Sequence, residues 1–315
     1  MISMKILKIV QIITTTSIFL IFCQQVFSHG EVSTVDKVVV SSEDHGEVVY
    51  LGNEAIMVSI NNRKILFDPF FHNDFGFYQL VPSEIVAKLH QGIHPFNSID
   101  MVLISHAHAD HFAAQEVLKY MNNQSQVLLV APQQAIEQLT KLNPSERVRK
   151  RFIPIDLALA QQAIKVQHKQ IQVEAVRIPH AGWPGRAEIE NIVYRVTLLK
   201  SHDEDKDSIR EGQLTVIHMG DADPNQQHFK PHTAHWESKM TNVAFPPYWF
   251  YDSQQGRTIL TKTINANKSI GIHVPVAVPS SLKESGLDYF SNPGESRVIK
   301  IENTKVNSKG NNDEQ

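Results

Sequence analysis

Residues 105–111 read Ser105-His106-Ala107-His108-Ala109-Asp110-His111, three imidazoles and a carboxylate on one short stretch. Neutral imidazole and carboxylate are the donors that borderline divalent metals such as zinc prefer. Just before it, Ile99-Asp100-Met101-Val102-Leu103-Ile104 is apolar enough for a buried strand, and Phe112 to Met121 just after it reads as a helix. The cluster therefore occupies a strand-to-helix turn, where open α/β sheets place their sites. His106 and His108 alternate, so extended backbone points both rings to one side. Asp110 and His111 follow the turn and face the same cavity from another direction, an arrangement that suits two adjacent ions better than one.

Working towards the N-terminus, Val48 to Leu51, Ala55 to Ile60 and Lys64 to Phe67 are β-rich runs punctuated by Gly52-Asn53 and Asn61-Asn62. Three antiparallel strands are expected, ending at Asp68-Pro69. Asp68 stands either behind a metal site or as a turn former before the proline. Pro82 to Leu89 reads as a helix with proline at its start. His72, His90 and His94 read as ordinary loop or surface histidines.

Working towards the C-terminus, strands at 126–130 and 151–155 flank a helix at 132–142. A hairpin of Ala163 to Val166 and Gln170 to Ile178 leads into Pro179-His180-Ala181-Gly182-Trp183-Pro184-Gly185. A Gly/Pro loop cannot pack as a core element, so His180 at its base is well placed for a site. Strands at 191–199 and 213–218 follow, joined across the acidic stretch 201–207. The second ends at Met219-Gly220-Asp221, where Gly220 lets the backbone approach a ligand closely. Asp223 reads as a turn former. His228, His232 and His235 share a helical spacing on a solvated or pocket-rim element, and Val243 to Phe250 reads as plain core for most of its residues, with a strand and pocket wall as the alternative. Ser269 to His273 reads as the last strand, and beyond about Lys300 the chain turns polar.

Each candidate ligand thus ends a strand. In order they are His106, His108, Asp110 and His111, then His180, Asp221 and His273. On these residues the chain resembles the metallo-β-lactamase superfamily. Leu51-Gly52-Asn53, Leu66-Phe67-Asp68-Pro69, and Pro179-His180 followed by Asn191-Ile192-Val193-Tyr194 are similar to its sugar-lactonase-like and N-acyl-phosphatidylethanolamine phospholipase D-like branch. The resemblance spans about Val48 to Val278. It implies an α/β, four-layer αββα sandwich with two divalent metals at the sheet edge. His106, His108 and His180 would hold the first metal, and Asp110, His111 and His273 the second. Asp221 would bridge them, and Asp110 and Asp221 would be the catalytic carboxylates. Zinc is the default for five His and two Asp, with manganese or iron as alternatives.

The implied activity is a metal-dependent hydrolase that uses a hydroxide shared between two cations on an ester, lactone or phosphodiester of a small-molecule or lipid-like substrate. The alternative is a non-catalytic periplasmic protein that binds or senses metal. β-Lactamase activity itself is not implied, because the scaffold hosts many chemistries.

The 315 residues suffice for a large core. Residues 1–28 differ from the rest. Lys5 and Lys8 precede an apolar run from Ile9 to Phe22, and Val26-Phe27-Ser28 offers a cleavage site, the outline of a secretory signal peptide. A retained membrane anchor and a lipoprotein signal ending at Cys23 are the competing readings. Cys23 is the only cysteine, so a cleaved chain forms no disulfide, which fits a secreted or periplasmic enzyme. Without Lys5 and Lys8, the 30 basic residues become 28 against 33 acidic ones, a net charge of −5. With no basic block, nucleic acid is a poor partner. The expected organisation is a signal peptide at 1–28, one hydrolase domain at 29–300 and a polar tail at 301–315.

Overall fold

The computed structural model describes residues 45–199 and 213–301. Residues 1–28, read as a signal peptide, the stretch 201–207 and the tail beyond Ile301 lie outside the described residues.

Twelve strands form two sheets among the described residues. The first strands are β1 (His45–Gly52), β2 (Ala55–Ile60) and β3 (Arg63–Phe67), a meander whose tight turns place Asn53 and Asn61 at φ 44° and 50°. Asparagine tolerates this left-handed backbone better than other side-chain-bearing residues. From β3 the chain passes through helix α1 (Ser83–Gln91) to β4 (Met101–Leu103), then through α2 (Ala114–Asn123) to β5 (Leu128–Pro132), and through α3 (Gln133–Thr140) to β6 (Phe152–Ile155). These βαβ passages make β3, β4, β5 and β6 parallel, in register Phe67 with Leu103 and Leu103 with Val130. β4 is buried on both faces, as a central parallel strand should be.

The second sheet comprises β7 (Ile164–His168), β8 (Ile171–Arg177), β9 (Ile192–Leu199), β10 (Gln213–His218) and β11 (Val243–Phe245), with spatial order β11-β10-β9-β8-β7. β8 and β10 both pair antiparallel with β9, so their carboxyl ends emerge at the same edge. β12 (Ser296–Lys300) returns to the first sheet beside β1, giving the order β12-β1-β2-β3-β4-β5-β6.

Three apolar layers follow from strand alternation. Val58, Ile65 and Leu103 meet Val173, Tyr194 and Val216 between the sheets. Leu66, Val102 and Leu129 face α1 and α2 through Leu89, Val117 and Tyr120. Val176, Val193 and Ile217 face the C-terminal helices through Phe229, Trp236 and Ile259. The architecture is therefore the expected αββα sandwich. No helix among the described residues is long and apolar enough to cross a membrane.

Three local expectations need correction. Residues 269–273 are not a strand: only isolated bridges, Ala244 with Ser269 and Pro247 with Ile272, tie them to the neighbouring segment. The last strand is β12. His232 is buried rather than solvated, packed edge-on against Trp236, because this helical stretch lies on the outer face of the second sheet. His90 is also buried, its Nε2 2.5 Å from Glu116 Oε1 across the α1–α2 contact.

Candidate metal centre

The carboxyl ends of β4, β8 and β10 converge where the two sheets meet. Ile192 N–H donates to Ser105 O (2.9 Å) and Tyr194 Oη–H to Ile104 O (2.9 Å), so β9 is stitched to the end of β4. Gly220 closes this seam. It sits at φ +53°, and a Cβ there would meet Ser105 Cβ at 2.8 Å and collide with Asn191 Oδ1. Its glycine is needed for one strand end to approach another, rather than for access to a ligand. Asn191 then accepts from Asp221 N–H (3.0 Å), aiming that carboxylate at the loop 105–111.

All seven predicted residues are brought together, in two groups. His106 Nε2 and His180 Nε2 each lie 3.1 Å from His108 Nδ1, and Asp221 Oδ2 lies 3.2 Å from His180 Nε2. On the other side, His111 Nε2 lies 3.2 Å from His273 Nε2 and 3.5 Å from Asp110 Oδ2. Asp221 Oδ1 is 3.3 Å from His111 Nε2 and 3.2 Å from His273 Nε2. One oxygen of Asp221 therefore serves each group.

The outer atoms of the rings fix which nitrogen faces inward. His180 Nδ1–H donates to Ala181 O (2.7 Å) and His111 Nδ1–H to Asp68 Oδ2 (3.0 Å). Ser105 Oγ donates to Asp68 Oδ2 (2.5 Å) and in turn accepts from His106 Nδ1–H (3.0 Å). In the neutral form of all three rings Nε2 is left with its lone pair inward. His273, at φ +58°, is anchored by its N–H to Asn53 O (3.0 Å) and flanked edge-on by Tyr78 and Trp249, at 4.1 and 5.1 Å between centroids.

Do these donors fit metal ions? Ligand atoms about 2.0–2.1 Å from a tetrahedral zinc lie about 3.3 Å apart, close to the separations here. Each group keeps its ligand atoms within 4.8 Å of one another. Asp221 Oδ1 is buried and accepts no hydrogen bond among the described residues, as expected of an atom meant for a cation. The electrostatics agree. Burial pushes His106 and His108 below the ordinary histidine range, keeping their lone pairs free. Burial is the largest single influence on His111 and His273 and opposes their charge, but the surrounding carboxylates, Asp221 foremost and Asp110 with it, together outweigh it, and His273 is raised to about 9. Burial would raise Asp110 and Asp221, yet these imidazoles hold both well below the usual carboxylate range. In the absence of metal, protons on His111 and His273 thus supply the positive charge that the carboxylates demand.

Asp68, left open between two roles, faces the site. It accepts from Ser105 N–H (2.7 Å) as well as from Ser105 Oγ and His111. Asp68→Asn is expected to lower metal affinity and activity by about 10–100-fold with little change in fold, because His111 loses its tautomer clamp. Isothermal titration with zinc checks this, and an unchanged affinity would remove Asp68 from the site.

Sequence reading missed Glu54. It is fully buried, neither carboxyl oxygen has a hydrogen-bond partner among the described residues, and Oε2 lies 3.7 Å from both His111 Nδ1 and His218 Nε2. Its one signal was an acid beside the apolar run Ala55-Ile56-Met57, masked by the turn residues before it. Burial raises its carboxyl well above the usual range. An acid shifted up on folding costs nothing below its unfolded value near 4.5 and destabilises progressively above it. Glu54→Gln is therefore expected to raise the Tm of metal-free protein at pH 8 by roughly 3–6 °C, about 1–2 kcal/mol, and to leave it unchanged at pH 4. Thermal melts at the two pH values decide.

His218 points into the core, stacked on Phe67 at 4.7 Å with Nε2–H bonded to Glu54 O (3.0 Å). Asp223 makes its turn, accepting from Asn225 N–H (3.1 Å). Trp183 stands outside the centre, edge-on to His228.

A sandwich with paired His/Asp groups at one sheet edge defines a class of protein, and comparison places the chain within it. Residues 47–247 match the family model described as Beta-lactamase superfamily domain. The chain belongs to this family and so to the metallo-β-lactamase superfamily. Among solved structures it is similar to Igni18, a metallo hydrolase from Ignicoccus hospitalis, at 16% identity and TM-score 0.53, covering 82% of this chain and 100% of that one. It is also similar to the metallo-beta-lactamase fold protein YhfI from Bacillus subtilis, at 16% identity and TM-score 0.51, covering 81% and 99%. At such identities the likeness is one of fold. Comparison with curated proteins gave no match.

Proposed function

We propose that the chain is a metal-dependent hydrolase acting on an ester, lactone or phosphodiester, with a first metal on His106, His108 and His180, a second on Asp110, His111 and His273, and Asp221 shared. The observation that carries this is Asp221 itself, with Oδ2 directed to His180 and Oδ1 to His111 and His273. Two bound divalent ions would supply a nucleophile from water near neutral pH and polarise the substrate oxygen.

The residues do the rest. Asp110 and Asp221 offset the positive charge, and Asp110, buried at the pocket floor, is placed to accept a hydrogen bond from the attacking water. Tyr78, kept neutral by burial and then by Asp221, offers an O–H in the same pocket to a substrate oxygen. The cavity over the centre, about 760 Å³, admits a small organic substrate, which favours turnover over mere metal storage. The sugar-lactonase-like branch is supported by the opening-strand motifs, and a secreted or periplasmic location by residues 1–28.

The test is elemental analysis of the purified protein alongside ester, lactone and bis-aryl phosphodiester substrates with zinc or manganese supplied. Two ions per chain and turnover of one class are expected. Stoichiometric metal without any turnover would leave the binding or sensing alternative.

A further inference from the structure

The pocket over the centre is lined by two segments of opposite character. One is the loop Phe75 to Tyr78, and the other supplies Arg186 with Glu188, from the loop that follows His180. Phe75 and Phe77 are 52% and 49% exposed, unusual for two large rings side by side at 6.5 Å. They are not loosely placed. Asn73 Oδ1 accepts from Phe75 N–H and Asp74 Oδ1 from Gly76 N–H, both at 2.9 Å. Asp74 O accepts from Phe77 and Tyr78, and Phe77 O accepts from Val276 N–H at 2.8 Å. Phe75 itself is held at φ +48°, a left-handed backbone that a bulky residue adopts only under constraint. The chain thus uses hydrogen bonds and strain to present apolar rings to water at the mouth of the centre.

Arg186 lines the same pocket. It is the one Lys or Arg in that lining, and its guanidinium makes no hydrogen bond or ion pair among the described residues. Glu188 shares its segment without coming within ion-pair distance. A free guanidinium offers two parallel N–H donors matched to a carboxylate or phosphate.

We infer that the substrate is an anionic amphiphile, its apolar chain or ring lying on Phe75 and Phe77 and its carboxylate or phosphate held by Arg186, with the scissile bond between them over the metal ligands. This deepens the hydrolase reading and rests on it for the position of the scissile bond, whereas the subsite itself is measured by binding alone. One cavity is lined by the rings, by the guanidinium and by His108, Asp110, Asp221 and His273 together.

The experiment is isothermal titration of the metal-loaded full chain with octyl phosphate, octanoate and 1-octanol, the two anions distinguishing phosphate from carboxylate. At least one anion is expected to bind tenfold or more tightly than octanol. Arg186→Met should erase that preference while leaving octanol binding unchanged, and Arg186→Lys should restore part of it. The double variant Phe75→Ser/Phe77→Ser should weaken all three ligands about tenfold. Since Arg186 is exposed and unbonded, its variants should melt with the wild type. An anion preference that survives Arg186→Met would show the metals alone to be the anion site and overturn the proposal. Unchanged affinity in the double Phe variant would overturn it equally. If the preference behaves as expected but no ester, lactone or phosphodiester is cleaved, the hydrolase reading fails and the subsite stands. If substrates are cleaved but Arg186→Met alters neither binding nor KM for anionic ones, the subsite fails alone.

Discussion

Asp221→Asn is expected to reduce hydrolysis by about three orders of magnitude and to lower the metal content from two ions per chain towards one. Asparagine keeps the shape, and its backbone N–H can still bond Asn191 as Asp221 does at 3.0 Å. It removes the charge and turns one of the two oxygens into an N–H₂ donor. Oδ1 and Oδ2 serve different imidazole groups, so either orientation of the amide leaves one group facing hydrogens instead of a ligand. A thousandfold loss corresponds to about 4 kcal/mol of transition-state stabilisation, within what metal-assisted catalysis supplies. Asp223→Asn, two residues along, serves as control, since Asp223 only closes a turn and pairs with His228 at 3.4 Å. Steady-state rates and elemental analysis of the two variants decide, and activity within tenfold of wild type in Asp221→Asn would refute the shared-carboxylate assignment.

Removing metal should have the other large effect, and its size should depend on pH. A ligand at a thousand times its Kd stabilises by about 4 kcal/mol, which for a domain of this size is roughly 8–16 °C of Tm per filled site. Metal-free protein partly compensates with protons on His111 and His273, both raised on folding. A histidine raised on folding gives stability fully present below its unfolded value near 6.5 and lost as pH passes through the folded value, about 9 for His273. The metal-free protein should therefore weaken from pH 6.5 to 9 while the loaded protein does not. The Tm difference between them widens over that interval. Melts in chelator and in zinc at pH 6.5 and 9 measure it, and a difference that shrinks with pH would contradict the charge arrangement described here.

Much of this centre is legible in the chain because three of its ligands lie just beyond strand-forming runs. Once Met101 to Ile104, Val173 to Ile178 and Leu214 to Ile217 are read as strands, His106, His180 and Asp221 fall at their ends. The turn pairs Gly52-Asn53 and Asn61-Asn62 bound the meander equally clearly. Other features depend on partners far along the chain. β12 has a polar, largely exposed pattern, Ser296-Arg297-Val298-Ile299-Lys300, and becomes a strand only because β1 offers it an edge. Residues 269–273 have strand composition but meet their neighbours through single bridges. Glu54 sits among turn residues and is buried only when Asp68, His111 and His218 close over it. Ser105 was legible as part of the motif, yet its task of bonding both Asp68 and His106 appears only with β3 and β4 side by side.

The seam between the sheets has a consequence for how the molecule matures. The loop 105–111 follows β4 of the first sheet, His180 and Asp221 follow strands of the second, and His273 lies on the segment between β11 and β12. No ion would be fully chelated before the ends of both sheets have been brought together. Metal capture would thus act as a checkpoint on assembly: it would reward only the docked pair of sheets, since a chain whose halves mispack keeps Asp221 away from the imidazoles of the loop 105–111. The same residues that would perform the chemistry would also certify that folding is complete.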